Sequence, residues 1–266
     1  MKIAKVIPIY KSGDEALTCN YRPISVLNFF SKIFEKIMYN YFINEHNILY
    51  SYQFGFRQTY STNHAIITLV EKINEALYKG NIMIGVYIDL KKAFDTVNHN
   101  ILLKKLYAYG IRGNVLKWFK SYLHNRQQFV YLNKAKSETK YVKCGVPQGS
   151  ILGPLLFILY INDMSSISTV IFPILFADDT SIFIQGKSLQ DTIEQLNTEL
   201  NKVVTWLSSN MLTLNAIKSH FMIFHRSRIK CVNLHVKIGN VTLKQVNFTK
   251  FLGVIIDDKL NFTHHI

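Results

Sequence analysis

Two adjacent acids, Asp178 and Asp179, separate two apolar runs of the sequence. Ile174-Leu175-Phe176 leads into the pair and Ile182-Phe183-Ile184 leads out of it, a pattern that predicts a β-hairpin with the acids at its turn. Adjacent carboxylates repel each other unless a positive charge neutralises them. The predicted turn is therefore either surrounded by water or holds a cation.

A third acid, Asp89, directly follows the apolar run Ile82–Ile88, which predicts a strand. If this strand lies beside the hairpin, three carboxylates converge as hard oxygen ligands, which suit Mg²⁺. Two Mg²⁺ ions held in this way are the usual apparatus for phosphoryl or nucleotidyl transfer. The alternatives are an ordinary exposed Asp-Asp turn and an aspartate that only ends a strand.

The elements that must position these acids follow from hydrophobic periodicity and capping signals. Further strands are predicted at 3–10, 127–132, 139–142, 220–224 and 251–256. Helices are predicted at 31–42, from Ser61 or Thr62 to Gly80, from Asn98 to Gly110, from Asn114 to 123, at 155–162 and from Ser188 to Asn210. The first helix has a predicted apolar side of Ile33, Phe34, Ile37, Met38, Tyr41 and Phe42. Because helices interleave with separated strand pairs, we expect an α+β fold with helices on one face of a sheet.

The chain is strongly basic. Its 266 residues include 31 Lys and Arg against 17 Asp and Glu, a formal net charge of +14. The length suggests one to two domains. A surface of this charge favours a polyanionic partner, most simply nucleic acid, because a cationic groove gains free energy from counterion release. A generally basic protein without such a partner is the alternative.

Cysteine usage and hydropathy indicate where the chain works. Cys19, Cys144 and Cys231 are odd in number, far apart and without Cys-x-x-Cys spacing, so we expect neither a disulfide framework nor a zinc module. A reducing, intracellular compartment is the expectation, with nucleus and cytoplasm left open. The longest apolar run, Ile151–Ile161, is too short to span a bilayer, so no membrane partner is expected.

A glycine-rich loop, Gly145-Val146-Pro147-Gln148-Gly149-Ser150, precedes the helix predicted at 155–162. Such a loop exposes backbone N–H groups and one glutamine side chain, which suits contact with a nucleotide. A plain turn between a strand and a helix is the alternative reading.

Taken together, the motifs resemble those of reverse transcriptases, specifically the jockey-like enzymes of non-LTR (LINE-type) retrotransposons. The resemblance covers nearly the whole chain, with the motifs in the order and spacing of that family. They are Ile7–Lys11, Asn20–Ser25, Gln53–Arg57, Asp89–Asp95, Gly145–Ser150, Phe176–Asp179, Leu214–Ser219 and Phe251–Gly253.

The resemblance implies a right-hand polymerase with fingers and an antiparallel palm sheet. Residues from about 1 to 80 would form mainly fingers, and residues from about 81 to 266 mainly palm, with some fingers and the primer-grip hairpin. Asp89 and Asp178 are implied to be the metal-bridging carboxylates and Asp179 the third catalytic acid. The metal would be two Mg²⁺ ions, with Mn²⁺ as a substitute.

Further roles are implied for single residues. Phe94 resembles the residue that excludes a ribose 2′-OH and so selects dNTPs. Arg57, and more weakly Arg22, would pair with the incoming triphosphate. Gln148 and Gly149 would lie against the nucleotide and template strand. The remaining assignments are Lys218 as a general acid near the leaving pyrophosphate, Phe251-Leu252-Gly253 as the primer grip, and Asp95 as a local turn or helix-start acceptor rather than a metal ligand.

The sequence departs from the family pattern in a few places. Ser219 stands where the family usually has threonine, which keeps the hydroxyl. No apurinic-type endonuclease domain precedes the motifs, and no thumb follows the primer-grip motif. We therefore expect a fragment of a larger retrotransposon polyprotein, which would supply both domains, or a truncated copy.

The favoured function is RNA-directed DNA polymerisation, with an RNA template, a DNA primer and dNTPs as partners. A polymerase of the group II intron type, or an RNA-templated RNA polymerase, is a second hypothesis; Phe94 argues against an RNA product. The third is a catalytically inactive fragment that binds RNA through its basic surface.

Overall fold

The structure is a computed structural model that describes residues 2–45, 48–226, 235–262 and 265. The helices of these residues are α1 (Phe29–Glu45), α2 (Thr62–Tyr78), α3 (His99–Ala108), α4 (Gly113–Leu123), α5 (Leu152–Ile161) and α6 (Leu189–Ser209). The strands are β1 (Ile3–Tyr10), β2 (Tyr21–Val26), β3 (Ile82–Ile88), β4 (Leu90–Lys91), β5 (Gln127–Leu132), β6 (Ala135–Lys136), β7 (Lys140–Tyr141), β8 (Phe172–Phe176), β9 (Asp179–Gly186), β10 (Thr213–Leu214), β11 (His220–Phe224), β12 (Lys237–Ile238), β13 (Val241–Thr242), β14 (Lys244–Gln245), β15 (Phe248–Phe251) and β16 (Val254–Asp257).

The chain divides into two compact units, each made of two separate segments. The first unit comprises Met1–Leu49 and Lys92–Ile161, and the second comprises Tyr50–Lys91 and Asn162–Ile266. The assignment of residues from about 1 to 80 mainly to fingers, and of residues from about 81 to 266 mainly to palm, stays a prediction.

The first unit contains a sheet in the order β2-β1-β5-β6, with β7 also paired to β5. β1 runs antiparallel to β2 and parallel to β5. Helix α5 is buried on every side and packs against α1 and α3, which explains why its sequence is apolar without a polar stripe.

The second unit is built on a sheet in the order β14-β11-β3-β9-β8. β3 lies at its centre, antiparallel to both β9 and β11. Helix α2 packs on β3 and β8, and α6 packs on β9. The hydrophobic core that includes α2 contains Leu69, Ile73, Met83, Phe183 and Phe224. Every residue of β3 after Ile82 is buried, so the central strand is covered on both faces.

Most predicted elements are confirmed. The strands predicted at 3–10, 127–132 and 220–224 have those bounds, and Ser61, Asn98 and Ser188 cap helices as expected. The strand predicted at 251–256 is wrong, because Leu252 and Gly253 adopt positive φ and form the turn between β15 and β16. Two-residue hairpin turns require such conformations. The sequence patterns did not predict the six-residue strand β2 or the two-residue strands β4, β6, β10, β12, β13 and β14.

Most of the apolar side of α1 is exposed, and polar residues of the helix are buried. Glu35 and Ser31 are buried, whereas Ile33, Phe34, Ile37 and Tyr41 are exposed. The physical reason is that Glu35 finds hydrogen-bond donors inside the first unit. Its carboxylate accepts from Tyr122 Oη at 2.8 Å and from the backbone N–H of Ile151 at 2.7 Å. A buried carboxylate with several donors is tolerated, while one without them is not.

In the described part of the chain, no helix combines the length and apolar character needed to cross a bilayer. Cys19 and Cys144 are free and exposed, and Cys231 lies outside the described residues.

Candidate functional site

The three acids singled out by the sequence lie at one end of the sheet of the second unit. β3 ends at Ile88, which pairs with Thr180 of β9. Asp89 follows Ile88 and Asp179 precedes Thr180, so the two acids face each other where the ladder ends. Asp178 occupies the turn between β8 and β9, which pair as far as Phe176 and Asp179. The predicted hairpin, and the predicted strand beside it, are both confirmed.

A loop around Gln53 holds the turn that carries Asp178. The backbone N–H groups of Ala177 and Gly55 donate to Gln53 Oε1 at 3.2 and 2.8 Å. Ala177 has a φ of 56°, which an alanine adopts only when its surroundings impose it. A Cβ on Gly55 would lie 2.3 Å from the Ala177 nitrogen, so only glycine fits beside the turn. Gln53 and Gly55 lie in the motif Gln53–Arg57, and the sequence alone indicates no such role for them.

A second loop fixes Asp89. Asn215 donates its side-chain amide to Asp89 Oδ2 at 2.6 Å and its backbone N–H to the Asp89 carbonyl at 2.8 Å. The Asp89 N–H donates to Ser219 Oγ at 3.1 Å, and that hydroxyl donates to the Asn215 carbonyl at 2.9 Å. The Ser219 hydroxyl therefore links the backbone of Asp89 to that of Asn215. Asn215 lies in the motif Leu214–Ser219, and the sequence alone did not predict its role.

The acids are accessible. Asp178 and Asp179 are exposed and Asp89 is half-buried. Within the described ranges, no group of three or more His, Cys, Asp and Glu side chains is arranged to hold a metal ion. The backbone thus brings the carboxylates to one sheet end as expected, but the side chains do not form the expected preassembled ligand set.

Arg57 and Lys218 also belong to the second unit. Arg57 Nη1 donates to the carbonyls of Tyr50 and Gln53, both at 3.1 Å, and its guanidinium lies over the Tyr60 ring at 4.1 Å. One terminal nitrogen of the Arg57 guanidinium therefore stabilises the loop of residues 50–57. Lys218 is exposed, in the turn between Asn215 and Ser219.

The segment Phe251-Leu252-Gly253 forms the tip of the β15–β16 hairpin. Phe251 is buried, with its ring centroid 6.1 Å from that of Tyr87 on the central strand. The hairpin shape expected of this motif is present, and its aromatic residue is part of the core.

In the first unit, the glycine-rich loop is bonded to its surroundings. Gln148 Nε2 donates to Asp95 Oδ1 at 2.9 Å, and the Gln148 carbonyl accepts from the Ser25 N–H at 2.6 Å. Gly145 and Gly149 have φ of 87° and 101°, and a Cβ on either would come within 2.8 Å of a backbone oxygen. Both glycines are therefore required by the loop.

The Asp95 side chain was expected to accept a hydrogen bond from its own turn or helix start. Its side chain accepts from Gln148, 53 residues away, rather than from its own turn. Burial raises the pKa of this carboxyl, and the Gln148 hydrogen bond and the nearby Lys92 charge oppose that rise.

The remaining predicted residues also lie in the first unit. Phe94 stacks on the buried ring of Phe157, with 4.4 Å between ring centroids. Arg22 is exposed on β2, opposite Ile9. The structure thus groups Asp89, Asp178, Asp179, Arg57 and Lys218 in the second unit, and Phe94, Gln148, Gly149 and Arg22 in the first.

Comparisons of the sequence with known proteins give a consistent result. The family described as reverse transcriptase (RNA-dependent DNA polymerase) matches residues 9–256. The probable RNA-directed DNA polymerase from transposon BS of Drosophila melanogaster is 30% identical over 282 residues, which cover all of this chain and 30% of that protein. The RNA-directed DNA polymerase from mobile element jockey of the same species is 29% identical over 279 residues, with the same coverage. The chain therefore spans about a third of the length of these relatives.

Comparison of the structures shows the same fold in telomerases. Apo telomerase from Candida tropicalis, truncated from its C-terminal domain, matches with a TM-score of 0.63 at 17% identity, over 98% of this chain and 54% of that one. The Candida tropicalis telomerase in complex with a fragment of telomeric RNA gives a TM-score of 0.64 at 13% identity, over 98% and 45% of the two chains.

The family match covers nearly the whole chain and includes both the acidic sheet end and the glycine-rich loop. This chain belongs to the reverse transcriptase (RNA-dependent DNA polymerase) family, with relatives among the jockey-like, non-LTR retrotransposon enzymes.

Proposed function

We propose that this chain carries the polymerase centre of an RNA-directed DNA polymerase that extends a primer 3′-OH with dNTPs on an RNA template. The observation that carries the proposal is the juxtaposition of Asp89 with Asp178 and Asp179 at the end of adjacent strands, in a member of this family. Retrotransposition is the proposed purpose, as the names of the relatives suggest.

The donor set suits Mg²⁺, since carboxylate oxygens are the ligands that this ion prefers. We propose Asp89, Asp178 and Asp179 as the residues that hold it, with Mn²⁺ as a substitute. When bound, two such ions would make the primer 3′-OH easier to deprotonate and neutralise charge on the leaving pyrophosphate.

The chain's own residues orient these carboxylates. The Asn215 side-chain amide donates a hydrogen bond to Asp89 Oδ2 and so fixes the rotation of the carboxylate. Gln53 and Gly55 hold the turn on which Asp178 lies. Holding reacting groups in place before substrate arrives is the main contribution of a protein to this chemistry.

The roles implied by the resemblance are part of the proposal. Phe94 would exclude a ribose 2′-OH, and its stacking on Phe157 supports this because a fixed ring makes a firm steric barrier. The other roles are Arg57 and Arg22 for the triphosphate, Gln148 and Gly149 for the nucleotide and template, Lys218 as general acid, and Phe251-Leu252-Gly253 for the primer.

The net charge of +14 favours nucleic-acid partners, for which we propose an RNA template and a DNA primer. The names of three of the relatives include the words Pol polyprotein. We propose that this chain functions as part of such a polyprotein, together with an endonuclease and a thumb.

The decisive test is primer extension with dNTPs on an RNA template in Mg²⁺, comparing the native chain with Asp178→Asn. Asp191→Asn is the matched control, because Asp191 is an exposed aspartate on α6, away from the sheet end. The proposal requires extension by the native chain and the control that is lost in Asp178→Asn. RNA binding without extension by a folded native chain would instead identify a catalytically inactive RNA-binding fragment.

A further inference from the structure

The first unit contains a cavity of about 380 Å³ beside the glycine-rich loop. It is lined by parts of β1, β2, β5 and β7 and by the loop itself. The lining residues that matter here are Lys92, Asp95, Arg126, Tyr141, Lys143 and Gln148. Arg126 and Tyr141 have no role in the function proposed above.

Arg126 is the least expected of these residues, because a buried cation usually has all its donors satisfied. It is only 4% exposed, with its guanidinium over the Tyr122 ring at 4.7 Å and Nη1 donating to the Tyr122 carbonyl at 3.4 Å. Its second terminal nitrogen, Nη2, is buried without a hydrogen-bond partner among the described residues. An arginine fork held by stacking, with one nitrogen unsatisfied, is suited to an anionic acceptor.

The charges around the cavity also favour an anion. Lys92, Arg126 and Lys143 are positive, and Asp95 is the one acid of the lining. Asp95 already accepts a hydrogen bond from Gln148. With three cations against one carboxylate, the lining keeps an excess of positive charge.

An aromatic side chain at the same cavity narrows the class of ligand. Tyr141 is 64% exposed on the short strand β7. Exposed aromatic rings beside cationic grooves stack the bases of single-stranded nucleic acids. A nucleoside triphosphate fits less well, because its Mg²⁺ ions need carboxylates. The cavity offers only Asp95, which is already bonded.

We propose that this cavity binds a phosphate of single-stranded RNA through Arg126, with Lys92 and Lys143 adding charge and Tyr141 stacking a neighbouring base. The RNA would be the template strand, and that part of the inference rests on the proposed function. A phosphate contact carries no sequence information, so the site would hold any RNA sequence equally well.

The test is the anisotropy of a fluorescent oligo(rU) titrated with protein at several salt concentrations, in EDTA and without dNTPs. Arg126→Gln is expected to weaken binding by about tenfold, since charge-assisted hydrogen bonds are lost. The slope of log affinity against log salt should fall in magnitude by about 0.7, the value for one phosphate contact on a single strand. Oligo(rA) should show the same loss.

Arg112→Gln is the matched control. Arg112 also stacks on a tyrosine, with its guanidinium 3.4 Å from the Tyr107 ring centroid, but it is exposed and does not line the cavity. This control should keep the native affinity and slope. Tyr141→Ala should weaken binding without changing the slope, because it removes stacking and no charge.

Thermal melting separates a binding defect from unfolding. If Arg126→Gln does not fold, the double variant K92Q/K143Q is used instead, since both lysines are exposed. This variant should lower the magnitude of the slope of log affinity against log salt. Unchanged affinity and slope in a folded variant would overturn the proposal. So would unchanged RNA binding with a raised KM for dNTPs, which would assign the cavity to a triphosphate. Because binding is measured without catalysis, a chain that fails to extend primers still tests the cavity.

Discussion

Asn215 donates two hydrogen bonds to Asp89, one from its side-chain amide to Oδ2 at 2.6 Å and one from its backbone to the Asp89 carbonyl at 2.8 Å. This double contact fixes both the backbone and the carboxylate of the acid that ends the central strand. Residues that orient a metal-binding carboxylate are often nearly as important as the carboxylate itself. The structure therefore extends the candidate site beyond its three acids.

Asn215→Ala is expected to slow primer extension by about 10- to 100-fold and to raise the Mg²⁺ concentration needed for half-maximal rate. The reason is that Asp89 would lose the donor that sets its rotation. Extension rates measured over a Mg²⁺ titration test this. Asn201→Ala, on the exposed surface of α6, is the control. Native rates and native Mg²⁺ dependence in Asn215→Ala would show that Asn215 does not position Asp89.

Gly55→Ala is expected to lower the free energy of unfolding by about 1–3 kcal/mol, because the new Cβ overlaps the Phe176–Ala177 peptide. It should also abolish extension by displacing Asp178. Urea unfolding and the extension assay measure the two effects. Gly80→Asn is the control, since Gly80 has a positive φ with open space around it and asparagine tolerates that conformation. Native stability in Gly55→Ala would contradict the close approach between Gly55 and the Phe176–Ala177 peptide.

Phe94→Ala is expected to reduce the preference for dNTPs over NTPs, measured as the ratio of kcat/KM, by about tenfold or more. The smaller side chain leaves room for a 2′-OH. Phe94→Tyr keeps the ring and should keep the preference. If Phe94→Ala loses stability but retains its nucleotide preference, Phe94 is only a packing partner of Phe157.

Glu35→Gln is expected to cost about 1–3 kcal/mol of unfolding free energy. Glu35 accepts from Tyr122 and from the backbone N–H groups of Ile151 and Leu152. An amide replaces one accepting oxygen by a donor and leaves buried groups unpaired. Glu138→Gln, an exposed change in the same unit, serves as the control in urea unfolding. Equal stability of the two variants would show that the Glu35 bonds are dispensable.

Asp95 gives a prediction about pH. Its pKa is raised by burial above the ordinary 3.8, so the folded chain binds a proton more tightly than the unfolded chain does. The contribution of Asp95 to stability is fully present below 3.8 and is lost as the pH rises through the raised folded pKa. Asp95→Asn lacks this dependence, so its stability relative to the native chain should increase over that window and then level off. Urea unfolding across the pH range measures the difference in unfolding free energy between Asp95→Asn and the native chain. A difference that does not change with pH would contradict the prediction.

Local patterns predicted much of this fold because local physics decides those elements. The run Ile82–Ile88 is apolar on both faces and became the central strand, and Asn98 caps α3 through its own side chain. The orientation of α1 was not predictable in the same way. The burial of Glu35 depends on donors from Tyr122 and Ile151, which are distant in sequence.

The same distinction applies to the candidate site. The three acids are recognisable from their neighbours in the sequence. Gln53 bonds to Ala177 across 124 residues and Asn215 to Asp89 across 126. No periodicity or spacing rule reports contacts of that range, so the residues that hold the acids in place required the structure.

The position of β3 in its sheet has a consequence for how the protein is made. Both of its hydrogen-bonded neighbours, β9 and β11, follow it in the chain, so during synthesis β3 is complete long before either partner exists. Pairings between distant segments form slowly, and an apolar strand awaiting its partners is prone to aggregate. Asp89, which ends this strand, acquires its final surroundings only after the loop of Asn215 and Ser219 has left the ribosome. The order of translation thus makes the acidic sheet end a late product of folding.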